Sequence, residues 1–522
     1  MTCLRTYRSK ATAPTASRRM AWSVGLLGAS MIVLTSLSAC EVGPDYSAPQ
    51  PVLSAFHNEG AVAARDAVPP APVLDTWWTG FRDPELTRIV ERALDQNLDL
   101  AASIARVDQA RAVARAAGAR LLPTTDLNAS ASPIHQSLDS PTGTIARRLP
   151  GYDRNQTLYD VGAGASWELD LFGGLRRGSE AAAAEAEAAE AAQMGTRISI
   201  AADAADAYLQ VRGDQARLAV AADQIAADKH LLDIVSQRCA RGTATDREQA
   251  QAEALLSQAR ASVPPLRIDL EAELNRLDVL MGAQPGTYAG ELAAVAPTPT
   301  IPRIEGGADP IDVLRRRPDV IAAERRLAAS NAEIGVAISD YYPKVSLSGL
   351  LGFESMNAGH LFKAATFQPE ATAGLRWRLF DFGKVDSEVA GARGANAEAL
   401  ATYRQSILHA AEDVENAFKA LVESEARTRE LLTETDALAR ARNSSQSAYQ
   451  GGVISLTDVL DADRQLLVAQ DELAQTRANA ARAAVGSFRA LGGGWSSPGE
   501  PAQASASADG RPGDIAQADH KE

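Results

Sequence analysis

Two hydrophobic periods divide this chain. In the stretch Gly374 to Gly383, GLRWRLFDFG, residues alternate strictly: Leu375, Trp377 and Leu379 fall on one side of an extended chain, and Gly374, Arg376, Arg378 and Phe380 on the other. The same period of two recurs upstream. Tyr159, Val161, Ala163, Ala165, Trp167, Leu169 and Leu171 oppose Asp160, Gly162, Gly164, Ser166, Glu168 and Asp170. Leu127, Ala129 and Ala131 oppose Asp126, Asn128 and Ser130, and Val345, Leu347, Leu351 and Phe353 oppose Ser346, Ser348 and Glu354. These patterns predict strands over about 123–134, 158–171, 343–354 and 370–381. After the last two strands the period lengthens: Tyr403, Ile407, Ala411, Val414, Phe418 and Leu421 recur at three and four, the spacing of a coiled-coil seam. No proline interrupts the chain between Pro150 and Pro264 or between Pro369 and Pro498. A helix over 384–450 therefore spans about 100 Å at 1.5 Å per residue, and a weaker, Ala/Glu-rich copy covers 175–241.

The chain repeats itself. DLFGGLRRGSEAA around Phe172-Gly173 parallels LFDFGKVDSEVA around Phe382-Gly383, RGTATD around Gly242 parallels GGVISLTD around Gly452, and VLMG ending at Gly282 parallels RALG ending at Gly492, all offset by 210 residues. Trp167 and Trp377 obey the same offset, whereas Pro123 and Pro343 upstream are 220 apart, so the ten-residue difference lies in the loop between paired strands. Glycines at 242 and 451–452 reverse the chain, with Thr245 and Ser455 placed to cap returning helices over 246–282 and 456–490. Pro264 and Pro265 match Ala474 and Gln475, so the first return helix should break where the second runs on. The expected organisation is a leader over 1–39, an N-terminal segment 40–83, a first repeat 84–282, a Pro/Gly-rich linker 283–309, a second repeat 310–492 and a disordered tail 493–522.

Composition narrows the chemistry. The formal charge of −14 argues against a nucleic-acid partner. Five basic and no acidic residues precede or enter the apolar run from Ala21 to Leu37, as in a secretory signal. The run ends in LSAC, which resembles a bacterial lipobox with cleavage before Cys40 and a diacylglycerol and N-acyl lipid on that thiol; an ordinary signal or a membrane helix are the alternatives. Cys239 is then left without a disulfide partner or metal-ligand spacing. The six histidines are scattered, with no HExxH, nucleophile elbow or phosphate loop, so the chain is not expected to be an enzyme or to carry a metal or other cofactor.

Segments of about ten residues that are apolar on one side and polar on the other are the mark of transmembrane β-strands, although a half-buried sheet over a soluble core has the same period. Export, turn-rich loops and the matched tryptophans favour the barrel. Four strands cannot close around a lumen, so several copies must share one barrel. Leu375, Trp377 and Leu379 then face lipid, Arg376, Arg378, Glu168 and Asp170 face the lumen, and Trp167 and Trp377 form an interfacial girdle.

CEVGPDYSAP, WWTGFRDPELTRIVERALDQNLDLAASIARVDQARA, RRRPDVIAAERRLAASNAEIGVAISDYYPKVSLSGLLGF and LFDFGKVDSEV resemble the TolC-type outer-membrane factors, specifically the NodT-like lipoprotein branch serving resistance-nodulation-division efflux pumps. The resemblance covers roughly 40–494. It implies a mainly α chain with a transmembrane β part: a homotrimer in which each copy gives four strands to a twelve-stranded barrel continued by a long periplasmic helical tunnel. It further implies a periplasmic adaptor, an inner-membrane pump and passive export of small molecules, with type I protein secretion as the alternative. Matching YQGGVISLTDVLD onto the family's closed tip places Tyr449, Asp458 and Asp461 at a constriction, with Glu248 as the first repeat's acidic partner. Ile454 stands where some members carry a basic residue, which puts their ionic closing bond in doubt.

Overall fold

A computed structural model describes residues 41–50, 54–65, 69–304 and 310–496. The leader, the expected lipidation site Cys40 and the chain beyond 496 lie outside the described residues. The first repeat holds α1 (Pro84–Gln96), α2 (Leu98–Ala119), β1 (Thr124–His135), β2 (Asn155–Leu169), α3 (Gly174–Ala240) and a return limb in two pieces, α4 (Asp246–Ala261) and α5 (Val263–Leu280). The second holds α6 (Pro318–Ser339), β3 (Lys344–Ser355), β4 (Phe367–Arg376), α7 (Lys384–Gln450) and an unbroken return helix, α8 (Leu456–Ala490). No helix among the described residues is long and apolar enough to cross a membrane.

Local chemistry sets these boundaries. Asp83 caps α1 by accepting from the Glu85 and Leu86 amides at 2.9 and 3.2 Å, with Pro84 in the first turn, where its missing N–H costs nothing. The return limb of the first repeat breaks at Ser262, two residues before Pro264; the second limb has no proline and continues. Gly173 and Gly383 precede the two long helices with φ of 79° and 85°, which lets the chain turn sharply from strand to helix. A carboxylate then takes the first free helical amides. Asp170 accepts from Leu175 and Arg176 at 3.1 and 2.8 Å, and Asp381 accepts from Val385 at 2.9 Å.

The four strands form one antiparallel sheet in the order β1-β2-β3-β4. Register is preserved through the duplication: shifting β1 by 220 and β2 by 210 carries Thr124↔Ser166 onto Lys344↔Arg376 and Leu127↔Ala163 onto Leu347↔Ala373. β4 is shorter than its sequence pattern: it ends at Arg376, so Trp377, Arg378 and Leu379 lie beyond it.

The main core is not in the sheet but around the middle of the helices. Trp77 is fully buried and stacks on Phe488 of α8 at 5.3 Å, with Phe81 and Trp78 edge-on around it. Tyr208 and Leu209 of α3, Val414, Phe418 and Leu421 of α7 and Leu277 of α5 complete this cluster. The segment before α1 therefore straps the helices together. Residues just past 492 belong to the same core: Trp495 is 7% exposed and donates through Nε1 to the Arg316 carbonyl at 3.1 Å, and the Gly494 amide donates to Leu74 at 2.9 Å. This corrects the expectation of a disordered tail from 493. Arg212 is buried in the midst, donating to the Tyr208 hydroxyl and to the Gln215 and Ala294 oxygens, while Tyr208 donates to Asp83. Every partner is needed, because a buried guanidinium without them carries a large desolvation cost.

Candidate functional site

Two regions carry the functional geometry, the sheet and the far turns of the helical hairpins. Across the sheet, pairing aligns most apolar positions on one face: Leu127 and Ala129 of β1, Ala163 and Trp167 of β2, Leu347 and Leu351 of β3, Phe367 and Leu375 of β4, with Ile134, Leu158 and Leu350 on the other. Phe362 of the β3–β4 loop packs on Phe353 at one end of this face, and its central positions are uncovered among the described residues. Leu127, Leu351 and Leu375 are 78%, 64% and 68% exposed. A water-soluble protein does not leave a contiguous face of that kind bare, and both outer strands also lack a hydrogen-bonding neighbour on one side.

The opposite face is polar, with Asp126, Asp160, Glu168, Glu354 and Glu370 alternating with serines and glycines. Arg376 sits here opposite Lys344, whose ammonium is held by Asp340 at 2.7 Å. Two expectations for this face need correction. Asp170 lies past the end of β2 and caps α3, so its oxygens point into the helix terminus. Arg378 lies past β4 and binds Asp340 at 3.2 Å and Glu388 at 3.1 Å, at the strand-to-helix junction. Trp167 and Trp377 occupy matching places: each indole donates to a carbonyl two residues before the proline that opens a strand, Leu121 at 2.9 Å and Tyr341 at 3.0 Å. Both rings thus mark the end of the sheet that adjoins the helices.

At the far end, the two turns are built alike. Gly242 and Gly452 have φ of 73° and 74°, and the amides of Thr243 and Val453 close back on the carbonyls of Arg238 and Ala448. Both return helices then open with a capping box. Thr245 N–H donates to Glu248 at 2.7 Å and Ser455 N–H donates to Asp458 at 3.0 Å. The bond from the Thr245 amide holds the Glu248 carboxyl below its usual range. Glu248 and Asp458 are thus duplicates of one another, occupied as helix caps.

Tyr449 also departs from expectation. It is 2% exposed inside the chain, packed with Leu231, Val235, Ala252, Leu456 and Val459. Arg238 of α3 lies 4.4 Å over its ring and donates to its backbone oxygen at 3.2 Å. The hydroxyl is buried with no hydrogen-bond partner among the described residues, and burial pushes it above the usual phenol range against the pull of Arg238. The residue joins the two hairpins and does not present its ring at the surface. Asp461 is exposed, as Asp458 is, and its carboxylate is bound to Arg464 and Gln465 of its own helix.

Residues 89–283 and 310–493 match the outer membrane efflux protein family, one match to each repeat. The chain belongs to that family. Nodulation protein T of Rhizobium leguminosarum bv. trifolii is 30% identical over 443 residues, covering 84% of this chain and 91% of that protein. The pyoverdine export outer membrane protein OpmQ of Pseudomonas aeruginosa is 32% identical over 422 residues, covering 81% and 88%. The solved outer-membrane channel OprN superposes with a TM-score of 0.78 at 34% identity, covering 87% of this chain and all of that one. The fold is that of an outer-membrane channel, and the place of this efflux protein is the outer membrane.

The sequence reading of this efflux protein missed a polar cluster just above the tip. Asp228 on α3 is 1% exposed; Gln224 donates to one of its oxygens at 2.6 Å and the other has no partner among the described residues. Asp463 on α8 is 3% exposed and accepts from Arg442 of α7 at 2.7 Å. Burial raises the Asp228 carboxyl to about 6, with the Asp463 charge adding and Arg442 opposing. Helical periodicity could have placed these residues on inward faces, but not next to one another. Arg238 gave no signal of any kind, being one charge among many on α3.

Proposed function

We propose that three copies of this efflux protein close a twelve-stranded barrel and a periplasmic tunnel, the exit duct of a tripartite assembly. One observation carries the reading: a four-stranded sheet with a bare apolar face and two open edges, mounted on helices about 100 Å long. An open edge in lipid leaves backbone groups unpaired at several kcal/mol each, and pooling strands removes the edges. Arg376 and Glu168 would line the lumen, Trp167 and Trp377 the membrane boundary, and a lipid on Cys40 would tether the chain. At the tip, the exposed Asp461, tied to Arg464 and Gln465 of its own helix, would meet its counterparts around the axis, with Asp458 and Glu248 beside it as caps. A periplasmic adaptor and an inner-membrane resistance-nodulation-division pump would dock below, delivering small molecules. The test is to delete the gene and measure accumulation of dyes, solvents and antibiotics. Raised accumulation supports the duct; unchanged accumulation with loss of a secreted protein would favour a protein-secretion duct instead.

A further inference from the structure

The two ends of the apolar face are charged differently. At the end that adjoins the helices, beside Trp167 and Trp377, Lys344 is held by Asp340 at 2.7 Å, and Arg378 by Asp340 at 3.2 Å and Glu388 at 3.1 Å. At the opposite end the strands open into two loops, 136–154 between β1 and β2 and 356–366 between β3 and β4. These hold four cations, Arg147, Arg148, Arg154 and Lys363, against two carboxylates, Asp139 and Asp153, a net +2 with histidines neutral in a chain of formal charge −14. None of the four has an ion-pair partner among the described residues, and the buried Nε of Arg154 has no hydrogen-bond partner there either. Asp153 is turned into its own loop, where it accepts from the Asn155 amide at 2.9 Å.

Exposed apolar side chains are interleaved with these cations. A short helix, Pro141–Ala146, runs on into a further turn, so Ile145 and Leu149, four apart and both exposed, share one side with Arg148 beside them. The turn is held firmly: the Ser140 hydroxyl accepts from the Gly143 amide at 3.1 Å, Gln136 donates to that hydroxyl at 2.7 Å, and a Cβ at Gly143 would strike the Ser137 carbonyl. In the other loop Phe362 stands edge-on to Phe353 at 5.5 Å, at the rim of the apolar face, and Lys363 follows it. Phe353 lies six residues along β3 from Leu347, the partner of Trp167, which is about 20 Å at 3.4 Å per residue. The aromatic ends thus bracket an apolar band of the kind that stands roughly 25 Å tall in outer-membrane barrels. Lys363 falls at the level of lipid head groups, where a long cationic side chain keeps its stem in apolar surroundings and its ammonium outside.

Resting on the barrel reading above, we propose that these loops bind a phosphorylated glycolipid of the outer leaflet. Lys363 and Phe362 take a phosphate and the adjoining acyl chain at the barrel rim, and Arg147 and Arg148, with Ile145 and Leu149, meet the rest of the head group. Charge complementarity selects this occupant: guanidinium and ammonium groups without carboxylates of their own pair with phosphate oxygens through charge-assisted hydrogen bonds. A soluble anion makes no use of the apolar side chains set among them, whereas a lipid offers acyl chains beside its charge. The helix-adjoining end, where Asp340 and Glu388 neutralise Lys344 and Arg378, has no such unmet charge.

The experiment titrates the full-length protein in mild detergent with purified lipid A, and with the same glycolipid lacking its phosphates, counting bound lipid by native mass spectrometry. The wild type is expected to prefer the phosphorylated form by about tenfold or more. Arg147→Gln, Arg148→Gln and Lys363→Gln together should weaken lipid A binding about a hundredfold, while Arg147→Lys, Arg148→Lys and Lys363→Arg together should keep it. Lys363→Gln alone, with about a fivefold loss expected, serves if the triple variant fails to insert. Phe362→Ala spares every charge and should weaken both glycolipids alike, by about tenfold. Equal binding by the neutralised protein, equal binding of the phosphate-free lipid, or full displacement of lipid A by inorganic phosphate overturns the proposal. So does neutralisation that splits an inserted trimer, which assigns the cations to a contact between copies. All of these leave the duct reading standing, whereas a wild type that is monomeric in the same detergent overturns the duct whatever lipid it binds.

Discussion

Replacing Tyr449 separates a clamp within one chain from a gate that closes through the tyrosine hydroxyl. The ring is 2% exposed and the hydroxyl is buried without a partner. Tyr449→Phe removes a polar group whose burial goes uncompensated; an unpaired buried group costs about 1–3 kcal/mol, partly offset here by a weaker hold on Arg238. The variant is therefore expected to be neutral or to stabilise the tip by up to about 1 kcal/mol. Tyr449→Ala instead empties the pocket among Leu231, Val235, Leu456 and Val459 and removes the surface under Arg238, a loss of about 3–5 kcal/mol. Hydrogen exchange at the two tip turns should follow the same order, slow in wild type and Tyr449→Phe and accelerated in Tyr449→Ala. Channel conductance in planar bilayers should rise for the alanine variant alone. If Tyr449→Phe conducts or exchanges like Tyr449→Ala, the hydroxyl is the working group and the clamp reasoning fails.

The buried Asp228 makes stability depend on pH. Its carboxyl is raised from 3.8 to about 6, so between about pH 4 and 6 the folded protein holds a proton that the unfolded chain releases, and this group's contribution falls as pH rises through that window. Asp228→Asn should then raise stability by about 3 kcal/mol at pH 7.5 and by nothing at pH 4, read from denaturant midpoints at the two values; an equal effect at both would contradict the assignment. Trp77→Ala should cost about 3–5 kcal/mol, because the indole is fully buried against Phe488, and melting curves that match wild type would show that the N-terminal strap is dispensable. Thr245→Ala and Ser455→Ala each remove one capping box and should cost about 1 kcal/mol of local stability, seen as faster amide exchange in the first turns of α4 and α8 with global unfolding unchanged.

Periodicity and internal repetition alone determined most of the architecture of this protein. Alternation gave four strands and their faces, the proline-free spans gave two helices of about 67 residues, the 210-residue offset gave the duplication, and the prolines at 264–265 marked the break in one return limb. Apart from the duplication, which is read by comparing distant segments, those features are local: they depend on backbone sterics, on which side chains share a face and on missing amide hydrogens, all of which are written in neighbouring residues. Tertiary structure decided what the charged and aromatic side chains do. Asp170 and Asp458 could have been lumen or gate residues by type and position, and became helix caps because free amides stood within 3 Å of them. Trp77 and Trp495 lie in stretches without a repeating pattern, and Arg238 meets Tyr449 across 211 residues of chain. Such pairings follow from how the long helices settle against one another, and no window of sequence spans that distance.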